Sequence, residues 1–174
     1  AVWQSSLIIA DGTFKTTIGF QQNHRKEYAN ILMPDQYELY FLLNTLNYDI
    51  RYVFPEKNNF NISFGTTGMW QASQNRGEEF LIPEYGLFDF GLFAVLKKNI
   101  GKLDLSAGIR YDSRTEQGQD LFLDTNGEKI QLPDTASIHR FSAFSSVFSG
   151  FTGSIGATYQ FSEKVFTKLN LSRG

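Results

Sequence analysis

Alternation with period two is the feature that most constrains this chain. In the stretch FNISFGTTGMW (60–70), Phe60, Ile62, Phe64 and Trp70 occupy even positions, and Asn61, Ser63, Gly65 and Thr67 fall between them. Successive side chains of a strand point to opposite faces, so a strand here has one apolar face and one small, polar face. The pattern recurs along the chain, and no long window carries the roughly 3.6-residue period of an amphipathic helix. It predicts eight strands, near 2–9, 13–27, 37–54, 59–72, 87–98, 102–112, 143–161 and 165–172. No linker or shift in composition divides the 174 residues into two domains.

The connections between these strands sort by length. Ala10-Asp11-Gly12, Pro55-Glu56-Lys57-Asn58, Asn99-Ile100-Gly101 and Ser162-Glu163-Lys164 are short and carry residues that take tight-turn conformations. The connections 28–36, 73–86 and 113–142 are long, and short and long alternate strictly. In an up-and-down meander this gathers the tight turns at one end of the sheet and the long loops at the other. Transmembrane barrels of the outer membrane show that asymmetry, and a soluble sandwich has no reason to. Inside the third long connection, Asn126-Gly127 lies between alternating residues and predicts a hairpin with a type I′ turn.

The faces favour lipid as the medium around the apolar side. Phe14, Ile18 and Phe20 oppose Lys15, Thr17 and Gly19; Leu46, Tyr48, Ile50 and Tyr52 oppose Thr45, Asn47, Asp49 and Arg51. Leu103, Leu105, Ala107 and Ile109 oppose Asp104, Ser106, Gly108 and Arg110, and Ile155, Ala157 and Tyr159 oppose Ser154, Gly156 and Thr158. Val165, Leu169 and Leu171 oppose Lys168 and Asn170. No charge is expected on the apolar faces of these strands, as hydrocarbon would demand, and Asn44 is a mild exception. The strand 87–98 is ambiguous, because Phe93 and Val95 make its second face apolar too. Aromatic residues fall at strand ends, Tyr40 and Trp70 toward the long loops and Tyr52, Phe54 and Phe161 toward the tight turns, as two interfacial girdles would require. A slightly negative mean hydropathy fits, since barrel strands of about 9–11 residues turn half their side chains to water.

These observations exclude several classes of function. The net charge of −2 and the lack of a Lys/Arg cluster leave nothing to bind nucleic acid. The sequence has no cysteine for a disulfide scaffold, a thiolate metal site or a thiol nucleophile. His24 and His139 have no serine and carboxylate at catalytic spacing, so an enzyme is not expected. Asp124, Asn126 and Glu128 lack the spacing of a calcium loop, and no metal or cofactor is expected. Asp49, Arg51, Asp104 and Arg110 are expected to face a wet lumen, and Asn75, Arg76, Glu78, Glu79 and Tyr85 to offer ligand contacts from an outer loop. Two other readings stay open from the residues: a complete small eight-stranded outer-membrane barrel with a structural or adhesive role, and a soluble carrier of lipocalin type.

Two stretches carry a resemblance. FLIPEYGLFDFGLFAVLKKNIGKLDLSAGIRYDSR (80–114) and GSIGATYQFSEKVFTKLNLSRG (153–174) resemble the barrel of TonB-dependent outer-membrane receptors. The resemblance implies location in the outer membrane and import of a scarce solute (siderophore, vitamin or oligosaccharide) with energy relayed by TonB. It also implies three partners: the lipid bilayer, a plug domain and TonB itself. Barrels of that size have about 22 strands around a plugged lumen. Eight strands are too few, and no plug-like segment is expected within 1–174. The chain therefore reads as all-β, with antiparallel up-and-down strands forming part of a larger barrel.

Overall fold

The computed structural model describes residues 1–30, 32–33, 35–131 and 134–174; Ile31, Pro34, Leu132 and Pro133, which fall in the first and third long connections, lie outside the described residues. Eight strands form one antiparallel sheet: β1 (Val2–Ile9), β2 (Gly12–Glu27), β3 (Leu39–Val53), β4 (Phe60–Asn75), β5 (Tyr85–Ile100), β6 (Leu103–Gly118), β10 (Phe144–Ser162) and β11 (Val165–Arg173). Each pairs with its neighbour in sequence, and β6 pairs with β10 across the third long connection. That connection holds a small sheet of its own, in which β7 (Leu121–Leu123) lies between β8 (Lys129–Ile130) and β9 (Ile138–Phe141). Among the described residues β1 pairs only with β2 and β11 only with β10, so the large sheet is open at both edges.

Tight turns join the strands at one end. Ala10 and Asp11 both have positive φ (49° and 63°), as do Asn58 and Asn59 (54° and 59°). Two consecutive positive angles are what a two-residue type I′ turn requires, and its twist matches that of the strands it joins. The hairpin expected at Asn126-Gly127 is present, with Phe122 opposite Ile130, but its turn is of another kind. Only Gly127 has positive φ (87°); its N–H donates to the Asp124 carbonyl, and the Asp124 N–H donates to Glu128. This is the three-residue loop in which a type I turn precedes a left-handed glycine. Asp124 selects it, because its carboxylate accepts the N–H groups of Asn126 and Glu128, both at 2.8 Å.

The register brings the apolar-rich sides of all eight strands onto one face. One rung runs Leu7, Phe14, Tyr52, Phe64, Ala94, Ile109 and Gly153; the next rung on the opposite face runs Lys15, Arg51, Gly65, Phe93, Arg110 and Thr152. This settles β5. Its even residues Phe88, Leu92, Ala94 and Leu96 join the apolar face, while Phe93 lies on the polar face over Gly65, where a Cβ would stand 2.8 Å from its ring. On the apolar face Tyr48 covers Gly68 in the same way. An aromatic ring laid across a glycine of the next strand fills what would otherwise be a gap in the wall.

The apolar face is a band of limited height. Its upper edge, on the long-connection side, passes through Phe20, Leu46, Trp70, Phe88, Tyr111, Phe151 and Leu171. One step further along each strand the same face bears Gln22, Asn44, Ala72, Gly86, Ser113, Ser149 and Arg173. Asn44 is thus no flaw in the band but part of its polar rim, where it accepts a hydrogen bond from Gln22 at 2.8 Å. The expectation of no charge on this face holds within the band for the strands it named. β5 places Lys98 there beside Phe60 and Leu105, its Nζ donating to the Asn58 carbonyl at 2.7 Å toward the tight turns, and above the band Lys26 shares the face, opposite Tyr40. Tyr40 itself lies six residues beyond Leu46, the partner of Trp70, so it stands above the girdle rather than in it. Toward the tight turns the lower aromatics cluster, with Tyr52 and Phe54 edge-to-face at 4.9 Å and Tyr159 and Phe161 at 4.8 Å.

Among the described residues nothing covers the band. Ile109 and Ile155 are each 60% exposed and Phe64 is 52% exposed. The chain exposes 12399 Å², against about 8600 Å² for a compact globule of its 19.8 kDa mass. The few buried apolar side chains, Leu39, Leu42, Leu87 and Leu121, sit toward the long connections. A soluble lipocalin-type carrier would close its sheet around an apolar centre, and this sheet does neither.

Candidate functional site

The polar face carries the charge of the sheet. Every Asp and Glu in its strands, namely Glu27, Asp49, Asp89, Asp104, Asp112 and Glu116, lies there by register. Arginines answer most of them. Arg51 donates to Asp49 two residues away, with its Nε at 2.8 Å. Arg110 and Asp112 pair in the same way at 2.7 Å. Arg114 and Asp89 stand directly opposite on β6 and β5 and form a two-pronged pair, both bonds 2.7 Å. All three pairs are partly exposed, so each contributes no more than about 1 kcal/mol. Their consequence is electrostatic: the face is polar and closely spaced in charge, yet locally neutral.

This face is concave. Asp49, Arg51, Arg110 and Thr152 border one depression of about 570 Å³. Asn47, Asp89, Arg114, Glu116 and Phe148 border another of about 920 Å³ nearer the long connections. Of the residues expected to face a lumen, Asp49, Arg51 and Arg110 therefore lie together. Asp104 is on the same face but near the tight turns, where it accepts a hydrogen bond from Asn99 at 2.7 Å. Asp89, Asp112 and Arg114 were not singled out from sequence; recognising them needs the pairing of β5 with β6, although their positions in the alternation are compatible with it.

The loop residues expected to touch ligand do not form one site. Asn75 is buried: its side-chain N–H donates to the Ile82 carbonyl at 2.6 Å and its backbone N–H to Glu84 at 3.2 Å. Tyr85 donates its hydroxyl to Gln71 at 3.1 Å, and Gln71 donates to Thr45 at 3.0 Å, a polar chain across the face of β3, β4 and β5. Arg76 reaches Gln74 at 3.1 Å, on the opposite side of the sheet. Glu78 and Glu79 expose their side chains and tie their backbone N–H groups to Tyr37 and Glu38. Glu84, overlooked in the sequence, joins two loops: its carboxylate pairs with Lys129 at 3.1 Å and its carbonyl accepts from Gln119 at 2.9 Å.

The third long connection is held by carboxylates that titrate. The Asp124 carboxyl is held below its ordinary value by the Glu128 N–H, and that of Asp120 by the Ala143 N–H and then by His139 at 3.0 Å. Lowered carboxyl values stabilise the folded loop above their unfolded pKa and lose that contribution as pH falls through the folded one. Protection of the Asn126, Glu128 and Ala143 amides against hydrogen exchange, corrected for intrinsic rates, should therefore fall below about pH 3.8. Asp124→Asn should flatten the response at Asn126 and Glu128 and leave that at Ala143 intact. Equal protection of the unaltered loop at pH 6 and pH 2.5 would show that these bonds do not hold it.

Set against known proteins, residues 4–174 match the family model described as TonB dependent receptor-like, beta-barrel. No curated protein and no solved structure matches the chain.

Proposed function

From a chain that belongs to the TonB-dependent receptor β-barrel family, and hence to the outer membrane, we propose that residues 1–174 are part of the wall of a larger import barrel. The observation that carries this reading is the division of one open sheet into an uncovered apolar band and a concave, charge-paired polar face. Hydrocarbon suits the first and a wet lumen the second. Both edges of the sheet continue into further strands of the same barrel, because unpaired backbone groups have no partner in lipid. A complete eight-stranded barrel would instead join β1 to β11, and these strands are not paired among the described residues.

In this reading Asp49, Arg51, Asp104 and Arg110 face the lumen, where paired charges offer a plug domain hydrogen-bonding groups without a net field to trap it. The long connections face the exterior, with Arg76, Glu78, Glu79 and Tyr85 near the entrance. The protein is a receptor for a small molecule or oligosaccharide, not an enzyme, and TonB supplies the energy for import. Deleting the encoding gene should abolish uptake of one scarce solute among ferric siderophores, cobalamin and oligosaccharides. A plasmid copy should restore uptake in cells with TonB and fail to do so in cells without it. Restoration in both backgrounds would refute energy coupling, and unchanged uptake of all three classes would refute the transport role.

A further inference from the structure

Above the apolar band the strands of the sheet turn no carboxylate to the outward face. The carboxylates of the strands all turn to the polar face, whereas Lys26 on β2 and Arg76 just past β4 share the outward face with Tyr40 of β3. Lys26 Nζ lies 4.1 Å from the Tyr37 ring centre and 4.9 Å from that of Tyr40, and donates to the Tyr37 hydroxyl at 3.0 Å. The Arg76 N–H donates to the Tyr40 carbonyl at 2.7 Å, so the two cations flank Tyr40 from neighbouring strands, about 10 Å apart at the backbone. Among the described residues neither reaches a carboxylate within ion-pair distance. Both are exposed.

The position says what meets these cations. Directly below them on the same face come His24, which shares a 2.8 Å hydrogen bond with the Tyr40 hydroxyl, Leu42 and Gln74, then Gln22 and Asn44, and then the band at Phe20, Leu46 and Trp70. With the long connections outside the cell, this wall is at the level of the outer leaflet's headgroups. Tyrosine, with an apolar body and a polar tip, suits that depth, and an exposed cation there is drawn to anionic lipid. We propose that the outward wall of β2–β4 binds the phosphate-bearing headgroup of an anionic lipid of the outer leaflet, with Lys26 and Arg76 on the phosphates and Tyr40 between them. A dissolved anion would gain the charge but not the apolar contact below it. The proposal holds whichever solute the barrel imports.

The test uses the intact receptor in detergent, titrated with a bis-phosphorylated, acylated glucosamine lipid and read by native mass spectrometry. Lys26→Gln/Arg76→Gln should bind this lipid about thirtyfold more weakly, as expected for two basic residues at an anionic surface. Lys102→Gln, in a tight turn at the other end, should bind as the unaltered receptor does. Heat-modifiable gel mobility reports whether each variant is folded; if the double variant is not, each single variant should still lose about fivefold. Unchanged binding in the folded variants would overturn the proposal. So would equal binding of phosphatidylcholine, which indicates apolar contact alone, or full displacement by millimolar inorganic phosphate, which indicates a site for dissolved anions.

Discussion

Arginine in place of Ile109 should lower the amount of folded receptor in the outer membrane several-fold, while lysine in place of Ser106 should leave it unchanged. Ile109 lies within the apolar band, between Ala94 and Gly153 on its rung, and Ser106 turns to the opposite face. A basic residue facing lipid at mid-depth costs about 2–4 kcal/mol on a barrel wall, a large share of a stability of about 5–15 kcal/mol. On the polar face a lysine finds water, and Asp104 lies two residues away on the same face. Folded protein in isolated outer membranes, scored by heat-modifiable mobility, measures both. Equal loss in the two variants, or loss only for Ser106→Lys, would mean that the faces have been assigned the wrong way round.

The second large effect concerns the edges. Residues 1–174 prepared as a separate polypeptide should give associated species in detergent-free buffer and no monodisperse monomer by light scattering. Two causes act together. The outer edges of β1 and β11 present unpaired N–H and C=O groups along their length, a template for further strands. The band adds a contiguous apolar surface far larger than a soluble monomer tolerates. A stable monomer in plain buffer would require the sheet to close and bury its band, which is the geometry of a soluble carrier.

The sequence made the membrane-spanning part of the wall readable and the part above it much less so, for one physical reason. Where one face meets lipid and the other water, alternation is strong, and all eight strands were recognisable. Above the band both faces meet polar surroundings and the alternation disappears. This is why β4 runs on through Ser73 to Asn75, β5 begins already at Tyr85 and β6 reaches Gly118, all inside what reads as loop. Register was not legible either. It is set by turn geometry, and it alone brings Asp89 opposite Arg114, lifts Tyr40 clear of Trp70 and puts Arg76 on the outer wall. The hairpin at Asn126-Gly127 was legible as a hairpin, but its turn type was decided by the side chain of Asp124, which a dipeptide rule does not see. The residues of the expected ligand loop are spread apart because consecutive residues of an extended segment point to opposite sides, as Asn75 and Arg76 do.

The assignment of faces is tested most directly by spin labels placed one at a time along β6, from Leu103 to Asp112, in the intact receptor reconstituted in bilayers. The sequence contains no cysteine of its own to compete for the label. Collision with oxygen, which concentrates in hydrocarbon, should peak at positions 105, 107 and 109, and collision with a water-soluble nickel chelate should peak at 104, 106, 108 and 110. The reverse phase, or accessibility without a two-residue period, would contradict a sheet whose apolar band meets lipid and whose charge-paired face meets water.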